Sequence, residues 1–297
     1  MDTGSLWARV LGLHAGSPIA FHQVTRANNV SESINLSILI PCYNEDLSIE
    51  HLASELHPVL HDLRAGGASV EVVFVDDGSS DGTWSALQIL AARLAPVAQV
   101  RLQRHPANRG LGAAVRTGFA ACRGDVVVTT DSDSTYRFTE IPALLARLTP
   151  DVSIVTASPY HPEGSVAGVP PYRLVLSRGS SFIYRALVDP RIYTYTALFR
   201  AYRADVIRNV DFQSNGFLAI AELLVNAMLC GYKVAEYPTV LHSRVAGTSK
   251  AKLLRTIAAH LRFHARIVGR RVGIGGQPLR TAAPDSSLTV ASGGQRR

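Results

Sequence analysis

From residue 36 onward the chain alternates short, largely apolar runs with stretches of helical spacing. The runs are LSILI (36–40), VEVVFV (70–75), AQVRLQ (98–103), DVVVTT (125–130) and DVSIVTAS (151–158). Strands without polar alternation are buried on both faces, and helices inserted between them are the crossovers of a parallel sheet. After the first run, Ile49, Leu52, Leu56, Val59, Leu60 and Leu63 mark one helix face, and Gly66-Gly67 stops it. Pro58 falls inside this stretch and is expected to bend or split the helix. Further helices are expected at 111–122 and 141–148, and a turn followed by a helix after the second run. The expected fold is α/β, a mostly parallel sheet with helices on both faces and right-handed crossovers. Such sheets bind ligands outside the carboxyl ends of their strands.

The loops that follow the first four runs therefore carry the chemistry. They read PCYNED, DDGSSDG, RHPANRGLG and DSDSTY. A dinucleotide fingerprint is absent, because the first loop holds no glycine and Val115 stands where the glycine after Gly110-Leu111-Gly112 belongs. A P-loop is absent too. Convergent carboxylates suit a nucleoside-diphosphate sugar, which arrives with Mg2+ or Mn2+. These hard ions take one or two carboxylates together with phosphate oxygens and water. In Asp131-Ser132-Asp133 the alternation of an extended chain sends both carboxylates to one side. One can face the ribose and the other the metal, which neutralises charge on the departing diphosphate. Asp76 or Asp77 offers an acceptor for a ring N–H of uracil or guanine.

ILIPCYNE, VVFVDDGSSDGT, RGLGAAVRTGFAACRGD and VTTDSDS resemble the family 2 glycosyltransferases of the GT-A fold. GYKVAEYPTVLHSRVAGTSK resembles the R-x-x-G-x-S-K region of the polyprenol-phosphate sugar transferases, the dolichol-phosphate mannose synthases among them. The resemblance runs from about residue 36 to about residue 255. It implies an inverting hexosyltransferase that moves a sugar from a GDP- or UDP-linked donor to a polyprenyl phosphate, dolichyl or undecaprenyl. It implies that Pro41, Tyr43 and Glu45 lie against the nucleoside and Asp76 and Asp77 near the base. It places Asp131 and Asp133 at the ribose, diphosphate and metal, and Arg244, Ser249 and Lys250 at the phosphates. Glu222 matches an acidic position beside the acceptor, so Asp133, Glu222 and Arg244 become the catalytic candidates.

Two positions depart from the family pattern. Thr135 replaces the glutamine of D-x-D-x-Q, and its hydroxyl can reach a hard cation directly or through water. Ser158-Pro159-Tyr160 replaces SRY, which removes the arginine that meets the acceptor phosphate, and Arg173 and Arg178 on the next helix are placed to compensate. A phosphate acceptor is anionic at neutral pH and needs no strong base. A hydroxyl acceptor does need one, and Glu222 is the candidate. Two alternatives stay open: the same donor chemistry on a hydroxyl of a soluble glycoside or secondary metabolite, and a non-catalytic nucleotide-sugar binding module.

Beyond residue 160 the chain is expected to form helices at 172–188 and 217–230 and a strand at 233–238, with 195–207 a strand or turn running into a helix. Between 250 and 271, Leu253, Leu254, Ile257, Ala258, Leu261 and Ile267 interleave with Lys250, Lys252, Arg255, Arg262, Arg266, Arg270 and Arg271. This is a basic amphipathic helix suited to an anionic membrane surface. The expected organisation is an N-terminal extension (1–35), a GT-A domain (36–250), a membrane-proximal helix (251–271) and a disordered tail (272–297). No stretch reaches the about 18–20 apolar residues of a membrane span, and residues 1–16 make a poor signal peptide. A cytoplasmic protein, peripheral at the inner face of the membrane, is expected. Cys42, Cys122 and Cys230 are far apart and read as reduced thiols, the last two in the core. The formal charge of +7 is a moderate excess that fits phosphorylated ligands or anionic lipid, and nucleic acid is not an expected partner.

Overall fold

The structure, a computed structural model, describes residues 35–243 and 253–271, the side chains at 172, 173, 253, 254, 270 and 271 excepted. The N-terminal extension, save Asn35, and the C-terminal tail expected from the sequence lie outside the described residues, as does the segment carrying Arg244, Ser249 and Lys250.

Four parallel strands build one half of the sheet: β1 (Leu36–Cys42), β2 (Val70–Asp76), β3 (Gln99–Arg104) and β4 (Val126–Thr129). They are joined through α1 (Asp46–Ala65), α2 (Thr83–Leu94) and α3 (Leu111–Ala121). A short α4 (Ile141–Leu145) leads to β5 (Ile154–Ser158). Next come β6 (Ser165–Ala167), α5 (Pro171–Leu187), β7 (Arg200–Arg203), α6 (Ala204–Asn209) and α7 (Leu218–Leu229). The described residues end with β8 (Val234–Pro238), β9 (Val240–His242) and α8 (Leu253–Arg271). The main sheet has the order β3-β2-β1-β4-β7-β5-β8, and β6 pairs with β9 in a separate ribbon. β7 alone runs against its neighbours in the main sheet.

Alternate residues of each strand feed two cores. Ile38, Ile40, Val72 and Phe74 pack toward α1 and α2, while Leu39, Val73 and Val75 pack toward α3 and α7. Covering both faces is why these strands read as unbroken apolar runs.

α1 runs through Pro58 without a break, contrary to the expected bend or split. Leu52, Leu56, Leu60 and Leu63 are buried on both sides of the proline, so packing holds the helix across the missing hydrogen bond. β1 likewise continues through Pro41. Leu39 accepts the Thr130 N–H on the β4 side, where the ladder then ends, so the N–H that proline lacks would have had no strand partner. The three cysteines are free thiols, but the expected core placement of Cys122 and Cys230 is met only in part: both sit at helix ends and are half-buried, whereas Cys42 is buried in β1.

Candidate active site

The rim begins where β1 and β2 end side by side. Asn44 takes a φ of 53°, a left-handed turn that asparagine tolerates, and swings the chain into α1. This turn interlocks with the loop after β2. The Asn44 N–H donates to Ser79 Oγ (2.9 Å), the Ser80 N–H to Asn44 Oδ1 (2.8 Å) and the Glu45 N–H to Thr83 Oγ1 (2.7 Å). The buried Glu45 carboxylate accepts the Ser48 hydroxyl at 3.2 Å. Pro41 is buried within β1 and Tyr43 is half-buried at the rim.

The two aspartates that close β2 have different neighbours. Asp76 Oδ1 accepts the Ser79 N–H at 2.9 Å, while Oδ2 faces Arg104 Nε at 3.1 Å without forming a hydrogen bond. Asp77 binds the loop after β3. Its Oδ1 lies 2.6 Å from His105 Nδ1 and accepts the Arg109 N–H (3.0 Å), and its Oδ2 accepts the Asn108 amide (3.0 Å) and the Gly110 N–H (2.7 Å). His105 Nε2 in turn lies 2.9 Å from Thr117 Oγ1 on α3. Asp77 thus uses both oxygens to organise residues 105–110. Asp76 keeps one oxygen, Oδ2, outside any hydrogen bond, buried and ion-paired with Arg104. Gly78, at φ +71°, has its Cα so close to this loop that a Cβ would fall 2.3 Å from the Ala107 carbonyl carbon.

β4 stops at Thr129, so Asp131-Ser132-Asp133 is a turn and not the extended segment expected from alternation. Ser134, at φ 55°, completes it. Asp131, Asp133 and Thr135 nevertheless line one cleft. Asp133 is buried, and its Oδ1 accepts the Thr135 N–H at 3.2 Å. The hydroxyls of Thr130 and Ser134 flank the pair, buried and without a hydrogen-bond partner. Burial, and then the nearby Asp131 charge, push the Tyr136 hydroxyl well above its ordinary pKa. Among the described residues no three His, Cys, Asp or Glu side chains are grouped to hold a metal by themselves. The donor set is all oxygen, with unpaired hydroxyls beside it. It suits a hard ion that brings a diphosphate and water as further ligands.

The cleft holds about 970 Å³ and continues from these carboxylates to the packed pair α5 and α8, where Leu174, Ile183, Ile257 and Leu261 line it. Pro159 and Tyr160 form part of its wall, and the exposed Arg178 sets its guanidinium 5.2 Å from the Tyr160 ring centre. Arg173 lies on α5, with its side chain outside the described residues. Glu222 is buried on α7 outside the lining and accepts the Ser214 N–H at 2.9 Å. That contact seats residues 214–215 against α3, where Asn215 O accepts the Gly112 N–H at 2.7 Å.

Sequence reasoning missed the Asn44, Ser79 and Thr83 locks, the His105–Asp77 clamp, and His260 and His264 of α8, which line the cleft. The i, i+4 spacing in HLRFH was the available signal. The apolar stripe read from the sequence holds at Ile267, which is buried, but Leu261 is 56% exposed and His260, Phe263 and His264 share the buried face instead.

A largely parallel α/β sheet with carboxylates on the loops at its carboxyl edge is the GT-A arrangement. A solved glucosyl-3-phosphoglycerate synthase from Mycobacterium tuberculosis, in complex with Mn2+, UDP and glucosyl-3-phosphoglycerate, shares this fold at a TM-score of 0.58. It is 21% identical, and the match covers 82% of either chain. Residues 37–211 match glycosyl transferase family 2, and the chain belongs to that family. It is 32% identical over 238 residues to a dolichol-phosphate mannosyltransferase of Pyrococcus furiosus, covering 79% of this chain and 64% of that protein. It is also 32% identical over 219 residues to a polyprenol monophosphomannose synthase of Mycolicibacterium smegmatis, covering 72% of this chain and 79% of that protein. The chain therefore spans just under two thirds of the archaeal relative.

Proposed function

We propose that the protein is an inverting glycosyltransferase that moves a hexose from a nucleoside-diphosphate sugar to a polyprenyl phosphate. One observation carries this reading: a single cleft joins the carboxylates of Asp131 and Asp133 to an apolar channel between α5 and α8. A sugar diphosphate suits the first end and an isoprenoid chain the second. The two relatives agree with this, one a dolichol-phosphate mannosyltransferase and the other a polyprenol monophosphomannose synthase.

In this reading Asp76 accepts a ring N–H of the base, and Tyr43 and Glu45 border the nucleoside. Asp131, Asp133 and Thr135 hold Mg2+ or Mn2+. That ion, when bound, neutralises the charge gained by the leaving diphosphate. An acceptor phosphate oxygen attacks the anomeric carbon in line. The new C–O bond forms as the bond to the diphosphate oxygen breaks, and nucleoside diphosphate departs. The phosphate is already ionised, so no protein base is required. This agrees with the placement of Glu222, which lies outside the cleft lining with one carboxylate oxygen on the Ser214 amide. Arg178, with Arg173, Arg244 and Lys250, is assigned to the phosphates.

Among the described residues no helix is long and apolar enough to cross a membrane. We assign membrane contact to the face formed by α5 and α8. Val175 and Phe182 of α5 are 69% and 70% exposed. Arg255, Arg262 and Arg266 on α8 are exposed beside Leu261, and α8 contains no acidic residue. This surface suits the cytoplasmic leaflet with its anionic lipid.

The test is sugar transfer from GDP- and UDP-hexoses to a short-chain polyprenyl phosphate with Mg2+ or Mn2+, beside thermal shifts with the nucleoside diphosphates. A nucleotide at a hundred times its Kd is expected to stabilise the protein by about 2.7 kcal/mol. Absence of both transfer and nucleotide binding with either metal would refute the reading. Transfer to soluble hydroxyl acceptors alone would replace the acceptor assignment.

A further inference from the structure

The cleft between α5 and α8 is largely apolar, with Ser177 and Thr256 among the exceptions, and it holds one buried polar knot. His260 and His264, one turn apart on α8, are 9% and 6% exposed, and both line the cleft together with Ser180 of α5. His260 Nδ1 lies 2.8 Å from Tyr184 Oη and 3.1 Å from Ser180 Oγ, which anchors the ring through that nitrogen. His264 packs edge-on against Tyr184 with ring centres 4.4 Å apart, and neither of its ring nitrogens has a hydrogen-bond partner. A buried imidazole with both nitrogens unpaired is costly, so its presence in a cleft points to a ligand that completes it.

Charge balance indicates the ligand. The described lining includes Asp131 and Asp133 but neither lysine nor arginine. Pro159 stands in the wall, and Arg178 is an exposed residue outside the lining. An anion entering this cleft needs positive charge, and among the described lining residues only histidines can acquire it: His242 of β9, half-buried, and the buried pair His260 and His264, the last with both ring nitrogens unpaired. Burial, and then His264, lower the His260 pKa to about 4, and burial lowers that of His264. Both rings are therefore neutral on their own at neutral pH. The groups that face them are Ser180 and Tyr184 of α5, with Glu222 of α7 acting on Tyr184. None of these is a cation.

We propose that His260 and His264 receive the phosphomonoester of the acceptor, each donating an N–H to its oxygens, and that the pair takes up a proton from solvent as the phosphate binds. This rests on the transferase reading and specifies how an anionic acceptor is held in a cleft that already contains two carboxylates.

The test is titration calorimetry of the full chain at pH 7 in buffers of different ionisation enthalpy. The probes are a short-chain polyprenyl phosphate, the matching polyprenol without phosphate, and 3-phosphoglycerate as a soluble phosphomonoester. About one proton is expected to be taken up per lipid phosphate bound and none with the polyprenol. His260→Gln and His264→Gln, checked for folding by thermal unfolding and backed by His264→Asn, should each lose the uptake. Each should weaken phosphate binding about tenfold, the scale of one hydrogen bond to a charged group. Nucleoside diphosphate affinity should not change. Folded variants that bind lipid phosphate as tightly as wild type, with uptake intact, would overturn the inference and leave the transferase reading standing. Equal affinity for polyprenol and its phosphate would overturn both. Equal affinity for 3-phosphoglycerate and the lipid phosphate, with uptake, would support the histidine site and overturn the lipid assignment.

Discussion

The two ends of the cleft are built by opposite means. Beside the carboxylate end, the loops after β1, β2 and β3 are locked by short, directed contacts: Asn44 with Ser79 and Ser80, Glu45 with Thr83, and Asp77 with His105 and three N–H donors. At the other end α5 and α8 meet through rings. Tyr184 stacks on Tyr195 at 5.1 Å and meets Phe263 and His264 at 6.2 and 4.4 Å, while Val175, Phe182 and Leu261 turn outward. A charged diphosphate rewards dipoles fixed in advance, because they need not reorganise as charge develops. A hydrocarbon chain rewards apolar area and makes no directional demand. One cleft thus combines a rigid polar end with an adaptable apolar end.

The sharpest test of this contrast is loss of one carboxylate at the polar end. Asp133→Asn keeps the turn's shape but removes a charged oxygen ligand. Transfer is expected to fall on the order of a thousandfold, as when a single preorganised electrostatic group is lost. The melting temperature should hardly move. Phe182→Ala, at the apolar end, should leave the chemical step within a few-fold of wild type. Comparable losses in kcat from the two variants would erase the distinction.

Asp77→Ala probes whether the rim is rigid because of its hydrogen bonds. The change strands His105, Asn108 and the 109 and 110 amides together. Removing one partner of a buried, charged network costs about 3–5 kcal/mol. Denaturant unfolding should show that loss, with nucleotide affinity falling in parallel. Undiminished stability would mean that residues 105–110 are held by something other than Asp77.

The same contrast separates what could be read in the sequence from what could not. The parallel half of the sheet was legible because strands buried on both faces leave continuous apolar runs, and the loops after them stood out by charge. β7 gave a weaker signal. Its first residue, Arg200, is fully buried, and its guanidinium donates to Thr156 Oγ1, Tyr195 O and Ile220 O. A buried arginine satisfied by neutral acceptors looks like a surface residue to any hydropathy reading. Asp131 and Asp133 were legible as a pair, but their turn was not, since the left-handed φ falls on Ser134 and not on a glycine. Asp77 could not be told from Asp76, because the difference lies in a loop some thirty residues away. The α8 stripe was legible at Ile267 but not at its histidines, since hydropathy favours Leu261 whereas the tertiary contacts bury His260 and His264.

The histidines give the apolar end a pH dependence of its own. His260 has its pKa lowered from 6.5 to about 4 in the fold, so the unfolded chain binds more protons between those values. The stability this ring contributes is complete above about pH 6.5 and is lost as pH falls toward 4. Its upper bound is about 3 kcal/mol. Thermal unfolding between pH 7 and 4 should show this slope in wild type and a shallower one in His260→Gln. An unchanged slope in the variant would place the acid sensitivity elsewhere.

The smallest expected effect concerns the outer surface of the apolar end. If α5 and α8 lie on a bilayer, the exposed arginines contribute through the surface potential of anionic lipid, and each is worth about 1 kcal/mol, or roughly a fivefold change in partitioning. Arg262→Gln and Arg266→Gln should each reduce sedimentation with phosphatidylserine vesicles by that factor and barely affect it with phosphatidylcholine alone. Raising salt should remove the difference between wild type and variants, since charges at a wet surface are screened within about 8 Å at physiological ionic strength. Phe182→Ala should behave oppositely, weakening binding to both lipids in a salt-independent way, because its contribution is area and not charge. If the arginine variants bind anionic vesicles like wild type while Phe182→Ala does not, the basic face of α8 is ordinary solvated surface and the membrane contact belongs to α5.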